Sequence, residues 1–271
     1  DFHYAINANA SLLRNRLINL GNESGEAVYQ SNGASGIGDY VKGSNGMVWP
    51  YFYGMKTDGI FQNWAEVNSY KDKDGNLMQP SAQPGDVRFV DVNGDGYVND
   101  DDRTMIGKGM PDWTAGLTLS ADWKGFDASL FFQGSFGNDI FDYCMRGDIP
   151  AQNRPGWVLD RWIGEGTSNR IPRMTNANPN QNWRSSDLWV KDGSFVRLKT
   201  AQLGYTLPAK LLKTIFIKNF RVYVAGENLL TFTKYEGFDP EMASDGYTTI
   251  GVDRGIYPQA RTITLGASIT F

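Results

Sequence analysis

The segment WTAGLTLSADWKGFDASLFFQGSF, residues 113–136, carries the clearest structural signal in the chain. In residues 113–123, apolar side chains occupy every second position, and small polar residues, glycine or Asp fill the positions between them. Because successive side chains of a strand point to opposite faces, this half predicts a strand with one apolar face. Lys124-Gly125 predicts a tight two-residue turn, since glycine readily adopts a positive φ. Residues 126–136 return in the same phase, so the segment predicts a β-hairpin.

The same period of two recurs elsewhere in the chain. Residues 194–208 and 218–232 predict two more strands of about ten residues, and residues 209–217 between them predict a connection with a short helical turn. Residues 262–271, TITLGASITF, predict a final strand with an apolar face that ends on an aromatic residue. Alternation also begins the chain over 1–13, and weaker strand candidates are 51–61 and 85–92.

Long polar stretches separate these strands on one side only. The clearest are 31–46, 144–187 and 235–258, which are rich in Gly, Asn, Asp, Ser and Pro. Connections of this length are uncommon in a compact domain unless they carry function or lie outside the main scaffold. Short turns that alternate with long loops are typical of an outer-membrane barrel.

A soluble β-sandwich is the alternative, because its strands alternate too. Sandwich strands average about five or six residues, whereas the segments here approach the roughly 9 to 11 that cross a bilayer at a tilt. The polar faces carry Thr, Ser, Gly and Gln, as expected for a wet lumen. Aromatic side chains lie at strand ends, where interfacial girdles form: Trp113, Trp123, Phe126, Phe136 and Phe271. The pattern favours the membrane barrel.

Composition excludes several classes of protein. Of the 271 residues, 41% are hydrophobic and 13% aromatic, which argues against disorder over the whole length. The net charge of −4 gives no general attraction for nucleic acid, so we expect no nucleic-acid partner. Cys144 is the only cysteine and can form no internal disulfide. The chain opens inside an alternating segment without a signal peptide, and we therefore expect it to be a piece of a longer protein.

The acidic segment DVNGDGYVNDDD, residues 91–102, matches the spacing of an EF-hand calcium loop. A hard cation requires six or seven oxygen ligands, and Gly96 occupies the position of the sharp turn. The predicted Ca²⁺ ligands are Asp91, Asn93, Asp95, the Tyr97 carbonyl, Asn99 and Asp102. A metal-free acidic turn is the alternative. The preceding residues read as a strand rather than a helix, so the loop is EF-hand-like only, and we expect the ion to stiffen a surface loop.

Residues for catalysis are scarce, and we predict that the chain is not an enzyme. His3 is the only histidine, and neither it nor Cys144 has a candidate catalytic partner in sequence. The chain has no phosphate-binding Gly-Lys-Ser/Thr loop and no zinc spacing. A pair of catalytic carboxylates is indicated by no particular spacing. The loops are rich in aromatic residues and Asn, whose side chains could bind sugar rings or could pack against each other or against a partner. Packing or partner contact is the favoured interpretation. The residues are Trp157, Trp162, Trp183, Trp189, Asn176, Asn178, Asn180 and Asn182.

Residues 84–140, from PGDVRFVDVNGDG to FFQGSFGNDI, resemble the C-terminal barrel region of SusC/RagA-type TonB-dependent outer-membrane transporters. The preceding segment FYGMKTDGIFQNWAEVNSY is similar to the family's loop-entry segment. Three later segments keep the family's order to the last residue: SFVRLKTAQLGYTLP, RVYVAGENLLTFTKYEGFDPE and YPQARTITLGASITF. The resemblance covers nearly the whole chain from about residue 47 and is weaker before it.

The resemblance implies an all-β fold: residues 1–271 would form the C-terminal portion of a large antiparallel transmembrane β-barrel of about 22 strands with long extracellular loops. The whole transporter would lie in the outer membrane of a Gram-negative cell and cross it many times. It would import oligosaccharides or peptides with energy from TonB and a SusD-type surface lipoprotein as partner. The loop 91–102 would be extracellular. The last strand would close the barrel and signal its assembly through Leu265, Ile269 and Phe271.

The family's plug and TonB box have no counterpart in this chain, so coupling to TonB is expected to need the N-terminal barrel and plug of the same transporter. The residues do not choose between a glycan and a peptide substrate, and they fix neither the oligomeric state nor the loops that contact substrate or lipoprotein. A second hypothesis is a soluble, calcium-stabilised, β-rich module that binds glycans.

Overall fold

The structure, a computed structural model, describes residues 1–29, 37–144, 153–212, 216–242 and 249–271. Parts of the predicted connections, at 31–36, 145–152, 213–215 and 243–248, lie outside the described residues. Within the described ranges the strands are β1 (Phe2–Leu12), β2 (Glu26–Tyr29), β3 (Val41–Ser44), β4 (Tyr51–Gly54), β5 (Thr57–Ile60), β6 (Val87–Phe89), β7 (Thr104–Gly107), β8 (Trp113–Trp123), β9 (Phe126–Phe136), β10 (Asp139–Asp142), β11 (Val190–Asp192), β12 (Phe195–Thr206), β13 (Asn219–Thr233), β14 (Val252–Asp253) and β15 (Thr262–Thr270).

Helices are few and short. They are α1 (Trp64–Ser69) and α2 (Ala209–Leu212), with 3₁₀ turns at Asp100–Asp102, Gly156–Asp160 and Asp187–Trp189. The α2 turn begins directly after Pro208, within the predicted connection 209–217. No helix in the described parts of the chain is both long and apolar enough to span a bilayer.

The main sheet has six antiparallel strands in the order β1-β8-β9-β12-β13-β15. Each strand pairs with the next sheet strand along the chain, so the sheet is a simple meander. Its strands have 9 to 15 residues, longer than the mean for globular proteins, which is about five or six. The strands predicted over 113–136, 194–208, 218–232 and 262–271 are confirmed, and the alternating start of the chain is β1.

The register of this sheet places apolar side chains on one face through all six strands. One row across the sheet consists of Ile6, Leu119, Leu130, Ala201, Gly226 and Ile263. The neighbouring row on the opposite face consists of Ala5, Ser120, Ser129, Gln202, Ala225 and Thr264. The apolar face is open: Ile6, Ile263 and Leu265 are 63%, 71% and 82% exposed. The sheet therefore leaves uncovered the surface that a soluble domain would bury.

The connections at the two ends of the main-sheet strands differ in length. At one end of the strands, Lys124-Gly125 joins β8 to β9. Both residues have a positive φ, of 51° and 92°. Residues 207–218 join β12 to β13 at the same end. At the other end, three long connections span residues 13–112, 137–194 and 234–261. The predicted alternation of short and long connections is therefore confirmed.

The long connections fold together into what we call the loop layer, the described residues of 13–112, 137–194 and 234–261. It contains three small sheets, with strand orders β2-β3-β4-β7, β11-β10-β14 and β5-β6. The prediction of one strand over 51–61 is wrong, because β4 pairs with β3 and β7 whereas β5 pairs with β6. The predicted strand 85–92 is shorter than expected, at three residues.

The hairpin turn generates a test of the main sheet. An added Cβ at Gly125 would lie 2.7 Å from the carbonyl oxygen of Thr206, and the φ of 92° disfavours a side chain. We expect Gly125→Ala to lower the free energy of unfolding by about 1 to 2 kcal/mol, measured by denaturant titration. Lys124→Asn is the matched control, because Asn tolerates a φ near 51°. Equal stability of the two variants would contradict a turn with two left-handed residues.

Candidate functional site

The loop layer has a hydrophobic core built from all three long connections. Tyr40 stacks on Phe141 with ring centroids 4.9 Å apart, and Trp183 stacks on Trp189 at 5.4 Å. Buried members of this core are Ile37, Tyr40, Val41, Phe52, Phe141, Tyr143, Val158, Trp183, Trp189 and Val252. Residues from distant parts of the sequence thus hold the loops as one packed layer over the edge of the main sheet.

The Asn-rich segment packs inside this layer. Asn182 is fully buried; its side-chain oxygen accepts a hydrogen bond from the Val87 amide at 3.0 Å, and its Nδ2 donates to Asp86 at 2.9 Å. Asn180 donates to the Val87 carbonyl at 2.9 Å. The Asp86 carboxylate also forms an ion pair with Arg173, with 2.7 Å between Nε and Oδ1. For these residues, and for the buried Trp183 and Trp189, the packing interpretation is confirmed.

The acidic loop 91–102 closes through hydrogen bonds to its own backbone. The Asp91 carboxylate accepts from the amides of Gly94 and Gly96, at 2.7 and 2.8 Å. Asn93 accepts from the Asp95 amide at 2.8 Å, and Asp95 accepts from the Tyr97 amide at 2.9 Å. Gly96 has a φ of 87°, which suits the sharp turn expected there.

Asp102 has a role in this loop that the sequence did not indicate. Its carboxylate is fully buried and accepts three backbone hydrogen bonds, from Val92 and Asn93 at 2.7 and 3.2 Å and from Asn99 at 2.9 Å. Among the described residues, no group of three or more His, Cys, Asp or Glu side chains is arranged to hold a metal ion. The fit to a hard cation is therefore partial: the carboxylate and amide oxygens of residues 91–95 keep lone pairs, whereas Asp102 is committed to the backbone.

A buried cluster of charges ties the loop layer to the main sheet. Arg197 lies on the polar face of β12, is buried, and forms ion pairs with Asp239 and, at 2.7 Å, with Glu241. Lys199 contacts Glu241 at 2.8 Å. Burial penalises the charged carboxylate of Asp239, but hydrogen bonds from Arg197 and from the amides of Gln259 and Glu241 outweigh it and hold the pKa of Asp239 below its ordinary value. The connection after β13 is thereby fixed to the main sheet.

A cavity of about 530 Å³ lies in the loop layer, within the size range of small-molecule sites. Trp157, Trp183 and Trp189 form apolar walls, and Asp142 and Lys191 add opposite charges. Burial raises the pKa of Asp142 and lowers that of Lys191, because both are withdrawn from water. Sequence reasoning missed these charged residues, since they lie in β10 and β11 and no local motif marks them.

The residues considered for catalysis do not form a site. His3 lies on the main sheet and contacts Asp122 at 3.1 Å, whereas Cys144 belongs to the loop layer. Burial raises the pKa of the Cys144 thiol to about 12, so the reactive thiolate is scarce at neutral pH. The structure does not bring the two residues together.

Of the three residues of the predicted barrel-closing signal, Leu265 and Ile269 lie in β15 and Phe271 directly follows it. β15 pairs with β13 through nine residue pairs, from Thr262–Glu227 to Thr270–Asn219. Within the described ranges its other edge pairs with no strand, and the same holds for the outer edge of β1. Leu265, Ile269 and Phe271 are all exposed.

The fold defines a class. The main sheet is a meander of long antiparallel strands with one open apolar face, one polar face and long connections at one end of the strands. These features are those of a portion of a large β-barrel wall.

No family model matches the chain. The chain is 35% identical to TonB-dependent receptor P3 of Formosa agariphila over 81% of its own length and 22% of that protein. It is 32% identical to TonB-dependent receptor P26 of the same organism over 82% of its length, again 22% of that protein.

Two further comparisons agree. The chain is 28% identical to TonB-dependent receptor SusC of Bacteroides thetaiotaomicron over 72% of its length and 18% of that protein. A chain of the RagAB peptide importer in its open-open state matches the whole structure with a TM-score of 0.72 at 22% identity, over 27% of that chain. The chain belongs to the TonB-dependent receptors. It spans about a fifth of the length of the curated relatives that it matches.

The acidic loop generates a test of its internal hydrogen bonds. Asp102→Asn replaces an acceptor oxygen with a donor that faces a backbone amide, so we expect a loss of about 1 to 3 kcal/mol in stability. Asp101→Asn is the matched control, because the Asp101 side chain is exposed. Thermal unfolding of both variants in excess chelator measures the difference without any contribution from metal. An Asp102→Asn protein as stable as the control would refute the structural role of this carboxylate.

Proposed function

We propose that the chain forms part of the wall and the extracellular loops of a TonB-dependent transporter in the outer membrane of a Gram-negative bacterium. The observation that carries the proposal is the open apolar face of the main sheet. Every backbone polar group of a segment in hydrocarbon must find a partner in the protein, and a barrel of paired strands achieves this. An apolar outer face and a polar inner face meet lipid and lumen respectively.

The length of the strands also supports a position in the membrane. β8 has 11 residues, and ten steps of about 3.4 Å give a length of about 34 Å. At the tilt of about 40° that is usual for such barrels, this strand covers about 26 Å, close to the height of the apolar band.

Aromatic side chains support the two membrane boundaries. Trp113 pairs with Phe136 at the edge with long connections, and Trp123 pairs with Phe126 at the turn edge. Tyr205 extends the second row and lies 4.6 Å from Phe126 between ring centroids. Such rings favour the interface between hydrocarbon and headgroups.

The soluble glycan-binding module is the weaker candidate. A water-soluble chain rarely exposes one continuous apolar patch across six strands, since burial of such surface is strongly favourable. Trp183 and Trp189 are also buried in the core of the loop layer, so they offer no open aromatic surface of the kind that a soluble glycan-binding module presents.

For cargo, we propose oligosaccharides or peptides, as the resemblance of the sequence to SusC/RagA-type transporters implies; one structural neighbour is a peptide importer. By the same analogy a SusD-type lipoprotein would cover the loop layer, and TonB would act through a plug in the rest of the transporter. The cavity beside Trp157 is a suitable place for cargo contact. The terminal strand, with Leu265, Ile269 and Phe271, would complete the wall against the remaining barrel and serve as the assembly signal. The chain itself has no enzymatic role in this proposal.

The membrane assignment is tested with a matched pair of charges near the middle of β8, introduced into the complete transporter. Leu119→Arg puts a guanidinium on the apolar face and is expected to cost about 2 to 4 kcal/mol, so less receptor should reach the outer membrane. Thr118→Arg puts the same group on the polar face and should preserve outer-membrane levels.

The measurements are receptor in the outer-membrane fraction and TonB-dependent uptake of labelled oligosaccharide and peptide mixtures. Equal levels of both variants would contradict a lipid-facing surface. A wild-type receptor in place without TonB-dependent uptake of either mixture would contradict the transport function.

We also propose that Ca²⁺ binds the loop 91–102 through Asp91, Asn93, Asp95, the Tyr97 carbonyl, Asn99 and Asp102. The tight turn at Gly96 and the remaining lone pairs of residues 91–95 support it. Binding would require Asp102 to share its oxygens with the backbone amides.

We expect Ca²⁺ to raise the melting temperature of the complete transporter, because an ion bound only by the folded loop stabilises it by mass action. Asp91→Ala should abolish the shift, and the exposed Asp101→Ala should retain it. A melting curve that is identical in calcium and in chelator would rule out a tightly bound ion.

A further inference from the structure

A small cationic groove lies directly beyond the Trp113–Phe136 end of the main sheet. Leu12 pairs with Trp113 in the last row of the β1–β8 ladder, and the next amide, of Leu13, donates to the Asp112 carbonyl at 2.9 Å. Arg14 and Arg16 follow in the connection directly after β1. The side chain of Arg14 is 70% exposed, so it is available to a ligand from outside the chain.

Positive charge exceeds negative charge in this groove. Arg14 and Lys108 both contact the same oxygen of Asp112, at 2.6 and 2.5 Å, which leaves one carboxylate between two cations. The guanidinium of Arg16 lies beside Gly46, where an added Cβ would be 3.4 Å from Nη2. With three cations and one carboxylate, these four residues carry a net charge of +2. The hydrogen bond and charge of Lys108 and the charge of Arg14 hold the pKa of Asp112 below its ordinary value, so this balance persists at neutral pH.

The floor of the groove is apolar. Its volume is about 320 Å³, and Leu13, Met47, Val48, Met110 and Pro111 line it next to the charged residues. Leu13 and Met47 are exposed. A ligand that fits both parts must therefore carry hydrocarbon and negative charge within one molecule.

The position of the groove relative to the membrane indicates where such a ligand would come from. The Trp113–Phe136 pair marks the extracellular boundary of the apolar band in the proposed function, and aromatic rings of this kind sit at the headgroup level. Basic residues immediately beyond that boundary lie at the level of lipid phosphates, with which Lys and Arg pair. Free phosphate would use the charges but not the apolar floor.

We propose that Arg14, Arg16 and Lys108 form a binding site for the phosphate-bearing headgroup of an outer-leaflet lipid, whose hydrocarbon rests on Leu13 and Met47. The inference rests on the proposed function, since it requires a bilayer around the wall. Asp112 is a positioning residue: it holds Arg14 and Lys108 on either side of one carboxylate, and both cations keep further donors for phosphate.

The test uses the complete transporter in neutral detergent and titrates it with diphosphoryl lipid A, with phosphatidylcholine and with inorganic phosphate. Binding is followed by native mass spectrometry and by the shift in melting temperature. The wild-type protein should retain lipid A, and the triple variant Arg14→Gln/Arg16→Gln/Lys108→Gln should bind it at least tenfold more weakly. Phosphatidylcholine and inorganic phosphate should not distinguish the two proteins.

A control away from the groove is Lys71→Gln/Lys73→Gln, which removes two exposed cations from residues 71–76. It should bind lipid A as the wild type does. Equal affinity in the triple variant, or an equal loss in the control, would overturn the site. Tight binding of inorganic phosphate alone would replace it with a phosphate site. Outer-membrane level and uptake of the wild type are recorded in parallel, so a failure of the proposed function is seen separately from a failure of lipid binding.

Discussion

The register of the main sheet is the constraint on which the rest of the structure depends. Side chains alternate with a period of two, so a slip of one residue between any two strands would send a row of polar groups to the apolar face. The rows run in phase through all six strands, including the β12 irregularity between Leu198 and Thr200. At the turn, Lys124 and Gly125 set this register for β8 and β9 because both adopt a positive φ. The meander then carries it from pair to pair.

The loop layer is held by a different kind of interaction. Its connections are long and polar, and buried polar groups are costly unless they are paired. The structure pairs them: Asn182 binds the backbone of Val87 and the carboxylate of Asp86, and Arg197 joins Asp239 across the boundary with the wall. Removing one partner of such a buried ion pair leaves an uncompensated charge, which is why these contacts fix loop position. The loops therefore present a defined surface above the lumen in the proposed transporter.

The acidic loop combines two physical roles that a spacing pattern alone cannot separate. Its spacing is that of a calcium loop, yet Asp102 serves three backbone amides and closes the turn by itself. A bound ion would add to an already ordered loop rather than create it. The same distinction applies to the aromatic residues of the loops, since Trp183 and Trp189 contribute to a core and only part of their surface borders the cavity.

The sequence alone determined the strands of the wall, the hairpin at 113–136, the apolar face and the alternation of short and long connections, because all of these follow from a local period of two. Tertiary structure alone decided how the connections pack. The predicted strand 51–61 divides between two sheets, since its halves find different partners. Arg197 meets Asp239 and Glu241 across more than forty residues, and the cavity joins β10, β11 and the connection after β13. Contacts over such separations depend on loop closure and burial, and no periodicity in the chain records them.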